Sequence, residues 1–451
     1  MPPLLPLIPI VSKPLCNIHP MPKTKKEAKR NFQAPKGMHD ILPRDIPWWR
    51  KFECVANEIA EAYGFRKIIT PIVEETEVFS RGVGLSTDIV EKEMYSFKTK
   101  GGDSLTLRPE GTAGVVRAYI ENNMSTWPQP VNLYYSGPMF RHENPQKDRY
   151  RQLFQFGLES IGDPSPVMDV EIIWVSYLIF NTLGFKDINF ELNSIGCHAC
   201  RADYLKIIKA FYKNKQSKLC PTCKERFKTN PLRLLDCKEE KCSELRSSLP
   251  SILDSLCPEC HDHFHSVLDI LEYLQVPYTL NPYLVRGLDY YTKTVFEIKS
   301  SYANGTLSLG GGGRYDGLVK LLGGTNQPAV GVAFGIDRIV SAFETIHDKE
   351  PNGKKNKVFL VQIGDAARKK AFLLTEELRK NGLSVYSSLS KDSLRNQLKI
   401  ADREKVKLSL ILGQEEVRED RIIIRDMESG IQEVVMQDKL VISIKKKLAM
   451  D

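Results

Sequence analysis

The stretch that most narrows what this chain can fold into is GPMFRHENPQKDRYRQLFQFGLESIG, residues 137–162. The apolar run VNLYYSGPMF leads into it and LFQFGLESIG leads out, both with strand character. Between them lie twelve residues, 141–152, crowded with Arg141, His142, Glu143, Asn144, Lys147, Asp148, Arg149 and Arg151. The segment reads as a hairpin with a highly charged tip. A period of two puts Leu153, Gln155, Gly157 and Glu159 on one face of the returning strand and Phe154, Phe156, Leu158 and Ser160 on the other. The second face is core. The first, taken alone, reads as ordinary solvent exposure, except that Gly157 clears space for something to approach and Arg141 closes the preceding strand beside it.

Around this hairpin the signals alternate between helices and strands joined by long excursions. IPWWRKFECVANEIAEAY (46–63) reads as an amphipathic helix stopped by Gly64, with RKIITPIVEE following as a strand. SLTLRPEGTAGVVRAYIENN reads as strand, turn and helix. PVMDVEIIWVSYLIFNTLGF reads as a helix, and DINFELNSIG, DYYTKTVFEI and LSLGGGGRYDGLV read as strands. AVGVAFGIDRIVSAFE reads as a strand entering a helix. This pattern predicts an α+β domain around an antiparallel sheet. HDKEPNGKKNK is a polar Gly- and Lys-rich linker, and beyond it strand and helix alternate as in a small α/β domain with a closing hairpin around DMESG. A chain of 451 residues is long enough for more than one core. No apolar run is long enough to span a bilayer, which excludes transmembrane function, and a net charge of +8 is only a weak pointer to a polyanionic partner. Residues 1–30, Pro-interrupted and then basic, read as a disordered extension.

Several residues outside the hairpin carry chemistry. Glu110 and Thr112 open a helix, where a capping role is the plain reading. Arg286 precedes a glycine and the adjacent Tyr290 and Tyr291, and with the glycine run 310–313 they suggest a pocket wall where a ligand approaches backbone. That run has neither dinucleotide-fold nor P-loop spacing. Eight of the ten cysteines fall as close pairs: Cys197 and Cys200, Cys220 and Cys223, Cys237 and Cys242, Cys257 and Cys260. In a large chain without a secretory signal such pairs suggest metal rather than disulfides, and eight thiolates suffice for two structural Cys₄ zinc sites. Reduced thiols packed as small hydrophobes are the alternative, and sequence order does not say which pairs would share an ion. His261, His263 and His265 could replace a cysteine ligand, but they read first as exposed helix residues.

TPIVEETEVFSRGVG, the hairpin segment and AVGVAFGIDRIV together resemble the three motifs of class II aminoacyl-tRNA synthetases. LVRGLDYYTKTVFEI and GGGGRYDGL resemble the two signatures of histidyl-tRNA synthetases, in a bacterial-type chain with a cysteine-rich insertion. The resemblance implies a class II antiparallel-sheet catalytic domain over 31–345, a helical Cys-rich insertion at about 197–275, a linker at 346–356 and an anticodon-binding α/β domain over 357–451. It implies a cytoplasmic homodimer that activates L-histidine with ATP and Mg²⁺ and transfers it to the 3′ end of tRNA(His). By motif position Arg141 and Arg286 flank the α-phosphate, Arg338 clamps the outer phosphates, and Arg149 covers ATP. Glu159 and Tyr291 meet the imidazole, Glu110, Thr112 and Gln155 meet the ammonium, and Tyr290 and Tyr315 complete the wall. Asp337 stands where many members have Glu. Two readings compete: a non-catalytic, histidine-sensing paralogue of the kind that regulates ATP phosphoribosyltransferase, and a zinc-containing RNA-binding protein.

Overall fold

The computed structural model describes residues 32–84, 87, 89–144, 149–302, 305–346, 357–391 and 393–448. The expected extension over residues 1–30, residues 347–356 of the linker expected at 346–356 and the hairpin-tip residues 145–148 lie outside the described residues, while Ile346 ends a helix. An eight-stranded sheet organises everything up to Ile346. From one edge to the other it runs Arg66–Lys67, Val131–Phe140, Gln152–Ile161, Ala329–Gly335, Gly305–Arg314, Thr292–Tyr302, Ile188–Ser194 and Tyr278–Leu280. Its interior pairs are antiparallel and only the two edge strands pair in parallel. The expected α+β architecture therefore holds. The hairpin register sets Tyr135 opposite Gly157 and Leu133 opposite Glu159, so side chains of the polar face share a surface with those of Ala329–Gly335.

One face of the sheet is sealed by helices whose sequence makes them apolar. Helix Ile46–Ala62 starts with a proline in its first turn and buries Trp48, Trp49, Phe52, Val55, Ala56 and Ala60, a helical stripe at three- and four-residue spacing. Helix Pro166–Thr182 is capped by Ser165, whose hydroxyl accepts from Val167 N at 3.3 Å, and is apolar nearly all round because it is enclosed. Phe156, Leu158 and Phe334 point into this core, as the period of two requires. RKIITPIVEE is not one strand. It divides into Arg66–Lys67 in the large sheet and Val73–Glu75 in a separate three-stranded sheet with Ser104–Leu107 and Tyr95–Lys98. Pro71 lies in the gap, where its missing N–H and its restriction on Thr70 interrupt a ladder.

The insertion is helical, with His198–Tyr212, Pro221–Thr229, Glu240–Arg246 and Pro258–Tyr273 as its helices. Beyond residue 356 a five-stranded sheet runs Ser384–Ser387, Lys357–Gln362, Leu408–Leu412, Arg421–Asp426 and Gln432–Met436, parallel in its first three strands and antiparallel in the rest. It has apolar clusters of its own built from residues 358–444. The closing helix Leu440–Leu448 carried no signal in the sequence reading. Among the described residues no helix is long and apolar enough to cross a membrane.

Candidate active site

The polar face of the hairpin is not solvent-exposed; it floors a cavity of about 470 Å³. Glu110, Thr112, Gln155, Tyr290, Tyr291 and Tyr315 line one part of it. Arg141, Arg149, Arg286 and Arg338 line another. Ten of the eleven side chains singled out for substrate binding thus meet in one space. Glu159 does not line it. It lies fully buried just beneath, its Oε1 accepting from Thr112 Oγ1 at 2.7 Å and its Oε2 accepting from the hydroxyl of Tyr315.

Burial pushes the Glu159 carboxyl up to about 8, an effect that hydrogen bonds from Tyr315 and Thr112 offset only in part and that the neighbouring Glu110 charge augments. Glu110 is also raised, again chiefly by burial. It caps the helix beginning at Thr112, with Oε2 accepting from Thr112 N at 2.7 Å and Oε1 from Ala113 N at 2.8 Å. The capping reading of Glu110 is therefore right, and the same carboxylate is part of the cavity wall. Gln155 Oε1 is buried without a hydrogen-bond partner among the described residues, which leaves an acceptor ready for a cationic donor. The rings of Tyr290 and Tyr291 lie 4.7 Å apart, and Tyr315 stands edge-on to Tyr290 at 5.6 Å.

Gly157 was expected to make room for a ligand, but its space is filled by protein. A Cβ there would lie 2.3 Å from Cζ of Tyr135, so the glycine exists to admit that ring. The glycine run behaves as expected at one place. A Cβ on Gly311 would fall 2.6 Å from Nη1 of Arg286, so the guanidinium lies directly against bare backbone. Glu297, opposite Gly311 in the sheet, is 3.8 Å from the same Nη1.

The other cations are also aimed. Arg141 donates Nε to the carbonyl of Pro109 at 2.8 Å, and its Nη1 lies 3.7 Å from Glu143. Arg149 approaches the second oxygen of Glu143 at 3.8 Å, so one carboxylate gathers both hairpin arginines. Arg338 donates to the carbonyl of Ser308 at 3.0 Å. Its neighbour Asp337 accepts from Phe154 N at 2.7 Å, tying the third motif to the hairpin strand. Sequence reasoning missed Glu143 and Glu297, both of which line the cavity. Glu143 could have been noticed as the acid between two tip arginines, whereas Glu297 required the register opposite the glycine run. It also missed Arg233, Asp236 and Lys238, cavity residues from the insertion that no motif marks.

The eight cysteines resolve into two tetrads, Cys197–Cys200–Cys257–Cys260 and Cys220–Cys223–Cys237–Cys242. Within each, the sulfurs all lie within 4.8 Å of one another, so either tetrad can hold a metal ion. Backbone N–H groups point at the sulfurs: Cys257 N donates to Cys200 Sγ at 3.1 Å, and Cys223 N to Cys220 Sγ at 3.4 Å. No histidine belongs to either group. His261 and His265 are exposed as expected, but His263 is not. It is buried, with Nε2 3.1 Å from Oδ2 of Asp169, because the exit helix of the insertion packs that side against the helix carrying Asp169.

Comparison with known proteins agrees with these features. Residues 37–339 match the model of the histidyl-tRNA synthetase family and residues 357–447 that of the anticodon-binding domain. The chain is 46% identical over 413 residues to the histidine–tRNA ligase of Acetivibrio thermocellus, covering 92% of this chain and 99% of that one. To the ligase of Desulfitobacterium hafniense it is 44% identical over 408 residues, covering 90% and 96%. The apo Staphylococcus aureus histidyl-tRNA synthetase superposes with a TM-score of 0.77 at 36% identity, covering 92% of this chain and all of that one.

Proposed function

The chain belongs to the histidyl-tRNA synthetase family, and from that premise we propose how its cavity divides the work of joining histidine to tRNA(His). It is an ATP-dependent aminoacyl-tRNA ligase, with relatives of the same activity spanning nearly its whole length. The histidine carboxylate attacks the α-phosphorus of ATP, forming the P–O bond of histidyl-adenylate as the bond to pyrophosphate breaks. The 3′-terminal hydroxyl of the tRNA then displaces AMP. Charge accumulates on phosphate oxygens in the first step, so fixed guanidinium groups are the natural catalysts.

In this reading Arg141 and Arg286 approach the α-phosphate from opposite sides, Arg338 holds the outer phosphates and Arg149 closes over ATP. Their convergence on one cavity is the observation that carries the reading. Glu143 and Glu297 offer oxygen donors beside these arginines and would hold the Mg²⁺ that accompanies ATP, which neutralises the outer phosphates. Glu110, Thr112 and the free acceptor of Gln155 receive the ammonium group. The imidazole offers one donor and one acceptor, which suit the carboxyl of Glu159 with its Tyr315 partner and the hydroxyl of Tyr291. Tyr290 completes the wall.

Each cysteine tetrad would hold structural Zn²⁺. A tetrahedral site with Zn–S bonds of about 2.3 Å requires sulfurs about 3.8 Å apart. Cys197 and Cys200 are 3.6 Å apart and Cys220 and Cys237 3.8 Å, so one pair in each tetrad already has that spacing, and the remaining sulfurs lie within 4.8 Å. The C-terminal domain would contact the anticodon of tRNA(His). A homodimer joined through the first motif is supported by apolar surface left open at Ile72 and Val73 within it, at Ile69 just before it and at Phe97 in the same three-stranded sheet as Val73.

Histidine-dependent exchange of pyrophosphate into ATP tests the central claim, since it needs no tRNA. Arg286→His should cut its kcat by about a hundredfold while the histidine KM stays within about threefold, because the guanidinium acts mainly in the transition state. Absence of exchange by the folded wild-type chain overturns the ligase reading, and equal losses in kcat and histidine affinity overturn the role of Arg286.

A further inference from the structure

The segment that brings Arg286, Tyr290 and Tyr291 into the cavity has no strand or helix of its own; Leu284 to Tyr291 is loop and turn. Something outside it must fix it, because a loop left to itself cannot hold reacting groups to the tolerance catalysis needs. Some of the anchoring comes from the sheet domain, with Asp289 N donating to the carbonyl of Val83 at 3.1 Å and Asn193 Nδ2 to that of Leu284 at 2.9 Å, and further contacts come from the insertion and the strand end just before it. Arg201 donates Nη1 to the carbonyl of Asp289 at 3.2 Å and Nη2 to the carbonyl of Tyr291. Asn230 donates Nδ2 to Asp289 Oδ1 at 2.9 Å. Where the loop enters its strand, Lys293 N donates to the carbonyl of Gly196 at 2.9 Å and Ile195 N to the carbonyl of Lys293 at 2.8 Å. Lys293 Nζ also meets Glu259 at 2.9 Å.

These anchors are adjacent in sequence to one set of cysteines. Gly196 precedes Cys197, Arg201 follows Cys200, and Glu259 lies between Cys257 and Cys260. The anchors differ in weight. Glu259 is 79% exposed, so its pair with Lys293 contributes little in water. Arg201 is half-buried and makes two charge-assisted hydrogen bonds to carbonyls on both sides of Tyr290, which a neutral contact would not match.

We propose that Arg201 is a positioning residue through which the metal held by Cys197, Cys200, Cys257 and Cys260 sets the loop carrying Arg286, Tyr290 and Tyr291, so that occupancy of this centre governs histidine affinity. The proposal rests on the reading of this tetrad as a zinc site. The ion acts at a distance: it fixes the backbone around Cys200, that backbone fixes the guanidinium, and the guanidinium fixes two carbonyls of the loop. The segment of the second tetrad also reaches the loop, through Asn230 on Asp289 and through Arg233, whose Nη1 would lie 3.3 Å from a Cβ on Gly287, but neither of these residues adjoins a cysteine as Arg201 does.

The test uses the full chain, with zinc per chain measured by mass spectrometry beside histidine and ATP KM in pyrophosphate exchange. Arg201→Met removes both donors and keeps the apolar stem. It is expected to retain the wild-type zinc content, to raise the histidine KM by about tenfold or more and to leave the ATP KM within about twofold, with Arg201→Lys restoring part of the loss. Cys260→Ser is expected to lose one zinc and raise the histidine KM alike, and the double variant to be no worse than either alone. Should Cys260→Ser fail to fold, stripping the first-released zinc from wild type and from Arg201→Met with a chelator gives the same comparison. Wild type should lose histidine affinity and Arg201→Met should not change further. A wild-type histidine KM in Arg201→Met, or additive losses in the pair, overturns the proposal while leaving zinc in place. Reduced wild type without bound zinc overturns the zinc reading instead, even if Arg201→Met still weakens histidine binding.

Discussion

Asp169 and Glu159 are both carboxyl groups with no exposed surface, in the same sheet-and-helix domain, and they occupy opposite electrostatic situations. Asp169 is surrounded by donors. Arg314, itself fully buried, gives it Nη2 at 2.6 Å and Nε at 3.0 Å, and His263 adds a contact at 3.1 Å. Burial alone would raise this carboxyl, but His263 and Arg314 outweigh it and hold it below the usual carboxylate range. Glu159 meets neutral hydroxyls instead, bonded by Thr112 and Tyr315 with that of Tyr135 close by, and has Glu110 nearby, so burial wins. The contrast separates a charge buried for the fold from one buried for a ligand. A structural carboxylate has its counter-ion built in, whereas one left short of positive charge beneath a cavity is poised for a partner that arrives from outside.

Removing the charge from the satisfied site should do the greater damage. Asp169→Asn leaves the fully buried guanidinium of Arg314 with the part-exposed Asp316, 3.2 Å from its Nη1, as counter-ion, and breaking a buried pair costs about 3–5 kcal/mol, with the lower end expected here. Urea unfolding should show a loss of that size, together with a loosened insertion, because His263 belongs to its exit helix. Histidine KM at a temperature where the variant remains folded and keeps its wild-type zinc content should stay within about twofold, since Asp169 bonds to His263 and Arg314, which do not line the cavity, whereas Glu159 bonds to Thr112 and Tyr315, which do. A stability change below about 1 kcal/mol would mean that the pair is not the fixed structural charge described here.

Glu159→Gln should reverse that profile. The amide preserves shape and can still accept from Tyr315, so stability should change little, while histidine KM rises by about tenfold, or about 1.4 kcal/mol, as the imidazole loses its carboxyl. Unchanged histidine KM in this variant would remove Glu159 from ring recognition and erase the functional half of the contrast.

The sequence made one of these two carboxylates legible and not the other. The strict period of a strand put Gln155 and Glu159 on one face, but that face read as solvent exposure until the motif resemblance gave it a role. Arg141 was marked by its place at the hairpin, but its role and all of Arg338 were legible only through motif resemblance. Asp169, His263 and Arg314 gave no signal at all. They lie 94 and 145 residues apart in the chain, each of an ordinary surface type, and only the packing of the insertion's exit helix against Pro166–Thr182 and the glycine strand joins them. The same holds for the partition of eight cysteines into two tetrads, and for Tyr135 filling the space of Gly157. Local periodicity reports which way a side chain points; which distant side chain it meets is set by tertiary packing.

The subtlest difference between the two carboxyls lies in how they couple stability to pH. Glu159 in the folded chain titrates at about 8 against an ordinary value of 4.5, so the native state keeps a proton that the unfolded chain has released. Its contribution is therefore full below the unfolded value and lost as pH rises through the window up to about 8, at no more than about 1.4 kcal/mol per pH unit. Glu110, raised in the same direction, adds to the slope and remains in a Glu159 variant. Asp169 is lowered, so its contribution is complete above the ordinary carboxyl range and is lost only as pH falls below it, leaving it flat near neutrality. Between pH 6 and pH 7 the unfolding free energy of wild type should consequently fall by about 1 kcal/mol more than that of Glu159→Gln, and Asp169→Asn should fall as wild type does. Parallel slopes for wild type and Glu159→Gln would mean that Glu159 is already ionised at pH 6, which requires a positive charge near it and would make it the same kind of group as Asp169.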